Sequence, residues 1–130
     1  MERVIGIGGI FFKARDADSL RAWYRRHLGL DIQEWGGLAF PPPPTLAADS
    51  PAPLGSHTTW CIFPGDTTYF GTGSAPFMIN YRVADLDALL TVLRAEGCDV
   101  DDKIDASEYG RFGWVTDPEG NRIELWQPPT

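Results

Sequence analysis

Glu124 is the residue of this sequence whose neighbours best suit it for chemistry. It stands between Ile123 and Leu125, in a segment that alternates as a β-strand does. Because successive side chains of a strand point to opposite faces, Glu124 shares its face with Arg122 and Trp126. A carboxylate in that position can coordinate a metal ion, act as a general acid or base with a raised pKa, or bind a cation.

The element that must position Glu124 is a hairpin. Its two strands are predicted at 111–116 and 121–127, and Asp117-Pro-Glu-Gly120 lies between them. An Asp at the first position of a turn accepts a hydrogen bond from the backbone that follows, and proline presets φ at the second position. Gly120 then supplies the left-handed conformation that closes the turn.

The composition is that of a globular protein. Of the 130 residues, 43% are hydrophobic and 12% are aromatic, which suits one domain with a buried core. No run reaches the roughly 18 apolar residues of a transmembrane helix, and the start of the chain lacks a signal-peptide core. We therefore expect a cytoplasmic protein with no membrane partner. Cys61 and Cys98 are expected to be free thiols.

The protein is acidic, with a net charge of −7 and a pI near 4.6. Such a surface repels phosphate backbones, and Arg25-Arg26 is its only basic pair, so we expect no nucleic-acid partner. The charge favours solubility, and it would also attract a cationic small molecule.

Hydrophobic periodicity predicts two helices. One begins after Asp16 or Asp18 and ends near Leu28, and the other begins after Asp85 and ends at Gly97. The other segments are predicted to be a proline-rich surface loop at 41–56 and strands at 3–13, 30–35, 37–40, 57–64, 76–83 and 98–104.

The element order is β-α-β-β-β twice, and the two halves of the sequence align. Residues 9–13 fall on 78–82, Asp16 falls on Asp85, and Trp60 falls on Glu124. An internal duplication accounts for this match, and each half alone would leave one face of its sheet uncovered.

We therefore predict an α+β fold within a single domain, 1–130. Its two βαβββ repeats, at about 3–64 (with the 41–56 loop inside it) and about 76–128, would form a half-open β-barrel cup, with the two units facing each other within one chain or across a homodimer.

Motifs in both halves resemble those of the vicinal oxygen chelate superfamily, which includes glyoxalase I, extradiol dioxygenases and bleomycin-resistance proteins. The resemblance covers nearly the whole chain and implies a small-molecule ligand. The motifs are Lys13-Ala-Arg-Asp16, Trp23-Tyr24 with Leu28-Gly29-Leu30, Val83-Ala-Asp85-Leu-Asp87, and Asp117-Pro-Glu-Gly-Asn with Ile123-Glu124-Leu125.

Metal-dependent members of the superfamily take a His or Gln from the first strand of each repeat and a Glu or His from the last. The resemblance puts these positions at Gly9, Met78, Trp60 and Glu124. Only Glu124 offers a ligand oxygen, and a divalent site needs about three protein ligands. We therefore expect no metal cofactor; a divalent metal in a non-standard site is the alternative.

Aromatic residues on the strands predict an apolar cup around Glu124. There its pKa could rise far enough for acid–base work, or it could stay ionised and meet a cation from a ligand or from Lys13, Arg82 or Arg122. Stacking and cation–π contacts suit a flat or cationic ligand. The predicted ligand-binding residues are Phe11, Trp60, Met78, Tyr81, Tyr109, Trp114 and Trp126, with Glu124 as the catalytic candidate.

Three functions are compatible with this sequence. The first is metal-free binding of a small cationic or aromatic molecule, similar to a bleomycin-resistance protein. The second is a lyase, an isomerase or a dioxygenase, with Glu124 as base or as ligand of a non-standard metal site. The third is a protein whose cup has lost its role and which acts through its dimer surface.

Overall fold

The computed structural model describes residues 3–42, 54–71 and 75–129. Within these ranges the chain forms two α-helices, a short 3₁₀ helix (Leu54–Ser56) and eight strands. The strands are β1 (Val4–Ala14), β2 (Gly37–Phe40), β3 (Thr58–Pro64), β4 (Phe77–Val83), β5 (Asp99–Val100), β6 (Asp105–Ser107), β7 (Gly110–Thr116) and β8 (Arg122–Gln127), and the helices are α1 (Ala17–Leu28) and α2 (Leu86–Ala95).

All eight strands belong to one open sheet, which confirms the predicted α+β class. The hydrogen-bonded order is β2-β3-β1-β4-β8-β7-β5, and β6 pairs with β7 outside this path. The first strands of the two halves, β1 and β4, lie antiparallel at the centre. Each is flanked by the last strand of its own half in parallel orientation, β3 beside β1 and β8 beside β4. The two halves are therefore joined edge to edge.

Both helices begin where the sequence predicted. Asp16 caps α1 by accepting a hydrogen bond from the Ser19 amide at 3.1 Å, and Asp85 caps α2 from the Ala88 amide at 3.1 Å. Gly29 ends α1 in the left-handed conformation, with φ of 67°. None of the described helices is long and apolar enough to cross a membrane.

The two faces of the sheet carry separate apolar clusters. One face, the outer face, packs against α2, whose Leu86, Leu89 and Leu90 are buried. The opposite face, the inner face, buries a cluster of Phe11, Cys61, Phe70, Met78 and Trp114. Helix α1 also lies on the outer face, but it has no buried residue.

Two of the predicted strands differ from the structure: one is absent and the other is shorter. Residues 30–35 form no strand, because the chain turns there: the Gly36 amide donates to the Gln33 carbonyl at 3.0 Å. The strand predicted at 98–104 ends at Val100, because the Asp101 carboxylate accepts from the Lys103 amide at 2.9 Å and turns the backbone. Most of the predicted loop at 41–56 lies outside the described residues.

Candidate functional site

A cavity of about 730 Å³ opens on the inner face of the sheet. Strands from both halves contribute to its walls, so the open sheet curves around it as the predicted cup required. Most of the lining side chains are aromatic or otherwise apolar. They include Phe11, Ala39, Thr59, Cys61, Phe63, Tyr69, Asn80, Phe112, Glu124 and Trp126, with Arg21, Trp35 and Tyr109 also at the wall.

Glu124 lies at the floor of this cavity and is only 1% exposed. Its strand β8 lies between β4 and β7, and the register places Asn80 on one side of Glu124 and Trp114 on the other. Asn80 Nδ2 donates to Glu124 Oε1 at 2.7 Å. Trp114 Nε1 donates to Oε2 at 3.0 Å, and the Tyr69 hydroxyl donates to the same oxygen. Three neutral groups therefore hold the carboxylate.

Burial dominates the electrostatics of Glu124. Desolvation raises the pKa of its carboxyl group, and the hydrogen bonds from Tyr69, Asn80 and Trp114 and the charge of Arg122 oppose that rise without cancelling it. Burial first, and then the neighbouring charge of Glu124, raise the pKa of the Tyr69 hydroxyl as well. Tyr69 therefore keeps its proton, which it donates to Glu124 in a hydrogen bond.

The internal ion pair considered for Glu124 does not form. Arg122 pairs with Asp101, at 3.1 Å between Nη1 and Oδ2, and its guanidinium lies over the Trp114 ring. Lys13 lies over the Phe70 ring at 5.5 Å. Arg82 donates from Nη1 to the His57 carbonyl at 3.2 Å. The side chains that contact the carboxylate are neutral because these cations have other partners.

Four of the predicted site residues line the cavity: Phe11, Tyr109, Glu124 and Trp126. Met78 and Trp114 lie on the same face, where they are buried in the cluster beneath the cavity. They support the site from below, and Trp114 does so through its hydrogen bond to Glu124.

Trp60 and Tyr81 are on the other face, and the expectation that they lie in the cup was wrong. The Trp60 ring packs edge-on against Phe12 at 5.3 Å and against Tyr24 of α1 at 5.0 Å. Tyr81 packs against the cluster that contains Leu86 of α2. Each is next in sequence to a residue that faces the cavity, so strand alternation turns it away.

The register of the sheet shows which residues of the two halves are equivalent, and it corrects the sequence alignment. Phe11 pairs with Cys61 in the first half, as Asn80 pairs with Glu124 in the second. Since Phe11 and Asn80 are equivalent in the repeat, the counterpart of Glu124 is Cys61. The sequence alignment, which put Trp60 there, was displaced by one residue.

The side chains at the superfamily's metal positions do not fit a divalent cation. With the corrected register these positions hold Gly9, Cys61, Met78 and Glu124, which mix one carboxylate with soft sulfur groups. Both carboxylate oxygens of Glu124 already accept hydrogen bonds from protein donors. Within the described ranges, no three His, Cys, Asp or Glu side chains are grouped so that they could hold a metal ion.

Two important residues of the site, Tyr69 and Asn80, were not predicted. Asn80 could have been found, because it is two residues after Met78 on the same face and is a polar residue in an apolar strand. Tyr69 could not have been placed from the sequence. It lies in the connection between β3 and β4, and only tertiary folding brings its ring onto Phe63, with stacked rings 5.4 Å apart.

The fold and its cup define a protein of the vicinal oxygen chelate class, as the sequence motifs predicted. More narrowly, residues 9–126 match the family model of the glyoxalase-like domain, and the chain belongs to that family. A comparison with curated proteins gave no match.

Similar solved structures include two methylmalonyl-CoA epimerases. The enzyme from Mycobacterium tuberculosis is 20% identical with a TM-score of 0.64, over 100% of this chain and 92% of that one. A Streptomyces coelicolor enzyme in complex with 2-nitronate-propionyl-CoA is 18% identical with a TM-score of 0.67, over 98% and 99% of the two chains. At these identities the likeness is one of fold.

Proposed function

We propose that this protein binds a small aromatic organic molecule in the cup and does so without a resident divalent metal. The observation that carries the proposal is the largely apolar cavity of about 730 Å³ with one buried carboxylate at its floor. Ligand sites in proteins have volumes of roughly 300–1,000 Å³ and combine apolar walls with a few oriented polar groups.

The walls suit a flat ligand. Phe112 and Trp126 are stacked, with planes 11° apart and centroids 6.1 Å apart, and both line the cavity. Phe63 and Tyr69 form a second stacked pair, at 9°. Aromatic walls attract flat ring systems, and they attract cations as well. The carboxylate of Glu124 supplies the polar group that would orient such a ligand.

The proposal can be tested by closing the cavity from its exposed edge. Ala39 lines the cavity on β2, whereas its neighbour Phe40 does not. Isothermal titration with indole, acetophenone and benzamidine should show that at least one of them binds the wild-type protein, one molecule per chain. Ala39→Trp should weaken that binding at least about tenfold, a loss of roughly 1.4 kcal/mol. Phe40→Trp should leave it unchanged. Failure of all three compounds to bind, or unchanged affinity in Ala39→Trp, would contradict the proposal.

A catalytic role is the second candidate. Burial raises the pKa of Glu124, and a carboxyl group of that kind beside a cavity suits general acid–base catalysis. The likeness to methylmalonyl-CoA epimerases adds an analogy of fold. Glu124 would then abstract a proton next to a carbonyl group.

Deuterium exchange separates the two candidates. Incubated with methylmalonyl-CoA in D₂O, a proton-abstracting enzyme would exchange the hydrogen next to the carbonyl, as seen by NMR, and Glu124→Gln would abolish that exchange. A binding protein would give the same slow exchange as buffer in both forms.

We also propose a homodimer. Val4, Ile5, Ile7 and Ile10 of β1 and Trp23 of α1 are all about half exposed, and exposed apolar groups of this kind mark association surfaces. Sedimentation should show a dimer that Ile5→Lys dissociates, whereas Ile104→Lys, at an exposed position in the connection between β5 and β6, leaves it intact. A wild-type protein that sediments as a monomer would refute this.

A further inference from the structure

We propose that the ligand presents N–H donors to the floor of the cup, as an aromatic amidine or an amino-substituted heteroaromatic ring does. This inference rests on the proposed binding function and specifies its ligand chemistry. It follows from an account of every hydrogen-bonding group that the structure places around Glu124.

The donors at the floor are already used within the protein. Asn80 Nδ2, Trp114 Nε1 and the Tyr69 hydroxyl all donate to Glu124. Trp126 Nε1 donates to the Tyr109 carbonyl at 2.7 Å. None of these four groups has a further N–H or O–H directed at a ligand, apart from the second hydrogen of the Asn80 amide.

The acceptors at the floor are not all used. Asn80 is 2% exposed, and its Oδ1 has no hydrogen-bond partner among the described residues. Glu124 accepts three hydrogen bonds, whereas a carboxylate has about four lone-pair sites. A buried carbonyl oxygen without a donor is unfavourable, so a ligand donor that reaches it gains affinity.

Gly8 makes room for this arrangement. It is the extra residue at an irregularity of β1, between Ile7, which pairs with Tyr81, and Gly9, which pairs with Asn80. A Cβ atom at Gly8 would lie 2.3 Å from Asn80 Oδ1 and 2.7 Å from Trp126 Cε3. Gly8 and the edge of the Trp126 ring thus lie on either side of the free oxygen, and a ligand donor would approach it from the cavity that Gly8, Asn80 and Trp126 all line.

Arg21 is a charged donor elsewhere on the cavity wall. Its Nη2 donates to the Ile62 carbonyl at 2.6 Å, its Nη1 pairs with the exposed Asp18 at 3.1 Å, and its Nε has no partner among the described residues. The Glu124 end of the cavity is therefore the acceptor end, and the donors of a ligand should point there.

Three compounds of similar size test the inference on the wild-type protein. Benzamidine carries a positive charge and N–H donors, phenyltrimethylammonium carries the charge without donors, and acetophenone carries only an acceptor. Benzamidine should bind about tenfold more tightly than either of the others, because only it can donate to Asn80 Oδ1 and Glu124.

Glu124→Gln sharpens the test because it should invert the preference. The Gln carbonyl can accept from Tyr69 and Trp114, and its NH₂ group would then face Asn80. The Asn80 amide would turn over to accept from it, which leaves an Asn80 N–H as the free group. Acetophenone should then bind more tightly than benzamidine. Tyr81→Phe, one residue along β4 on the outer face, is the matched control and should keep the wild-type order.

The outcomes are distinguishable. Equal affinity for benzamidine and phenyltrimethylammonium would mean that charge alone is recognised, and it would overturn the inference. Tightest binding of acetophenone by the wild-type protein would overturn it too, and both results leave the proposed binding function standing. If none of these three compounds binds but indole does, the inference fails and the proposed binding function stands; if indole also fails to bind, both fail.

Discussion

Trp114 and Glu124 face each other across the β7–β8 hairpin, and the indole nitrogen of Trp114 donates to Glu124 Oε2 at 3.0 Å. Both side chains are almost fully buried, at 2% and 1% exposure. The largest side chain of the inner cluster thus donates to the one carboxylate that is buried among the described residues. The hairpin carries both an apolar part of the cavity floor and its carboxylate, so a substitution of either residue should affect stability and, on our proposal, ligand binding as well.

Trp114→Phe should destabilise the protein by about 1–3 kcal/mol. The substitution keeps an aromatic ring in the cluster, but it removes a hydrogen bond to a buried carboxylate and leaves a gap. Urea denaturation followed by far-ultraviolet circular dichroism measures the change. Phe77→Leu on β4, where the ring is 46% exposed, is the control and should change the free energy of unfolding by less than about 0.5 kcal/mol. Equal losses in both variants would show that the hydrogen bond contributes nothing.

The stability of the wild-type protein relative to Glu124→Gln should fall as pH rises. Burial raises the pKa of Glu124 in the folded state, so between its ordinary and its raised value the folded chain binds more protons than the unfolded chain. The contribution of Glu124 to the free energy of unfolding is therefore most favourable below the pKa that it has in the unfolded chain. This contribution is lost as pH rises through the higher pKa that it has in the folded chain.

The contributions of other carboxylates to stability depend on pH in the opposite sense, and comparison with Glu124→Gln cancels them. Hydrogen bonds lower the pKa values of Asp16 and Asp117, so their contributions are lost on acidification instead. They are the same in both proteins and cancel in the difference. A wild-type-minus-variant difference that does not change with pH would show that the Glu124 pKa is the same in the folded and unfolded chains.

The two helices should differ in their importance for stability. Leu90 of α2 is 1% exposed and lies in the outer-face cluster, so Leu90→Ala should destabilise the protein by about 2–5 kcal/mol. Leu28 of α1 is 58% exposed, and Leu28→Ala should stay within about 0.5 kcal/mol of the wild type. Denaturant titrations of both variants compare them directly. A large loss in Leu28→Ala would show that the proposed dimer surface extends from Trp23 along α1 to Leu28.

Divalent cations should leave the protein unaffected. Because the superfamily's metal positions hold glycine and sulfur groups beside Glu124, EDTA, Mn²⁺ and Ni²⁺ should not shift the thermal unfolding midpoint. Elemental analysis of the purified protein supplies a second measurement. A stoichiometric metal that is lost in Glu124→Ala would refute the proposal of a metal-free site.

Sequence patterns predicted both helices and the C-terminal hairpin, but they did not predict every strand or the register of the sheet. The aspartate caps, the helix periodicity and the turn at Asp117 each depend on a few adjacent residues, and both helices and the hairpin were predicted correctly. The strands at 30–35 and 98–104 failed because local hydrogen bonds at Gly36 and Asp101 turn the backbone, and strand propensity does not report such turns.

In the candidate site, too, the features that depend on register or tertiary folding were the ones that the sequence did not predict. A displacement of one residue turns a side chain to the opposite face of a sheet, so the misaligned repeat assigned Trp60 to the cup when Cys61 is there. Alternation along β4 excludes Tyr81 once Met78 faces inward, and it would have included Asn80. The hydrogen bond between Tyr69 and Glu124 joins residues 55 apart in the sequence, and no local pattern encodes it.

Cys61 of the first half is the counterpart of Glu124 in the second half, and this difference affects the symmetry of the cup. Two identical halves would make a binding site with a twofold axis, and a molecule could enter it in either of two orientations. Here one half offers a carboxylate and an amide, and the equivalent place in the other half offers a thiol and a phenyl ring. The two ends of the cup, one from each half, therefore differ in chemistry. The cup has its buried carboxylate at one end only, so the ligand that we propose should bind in one orientation rather than two.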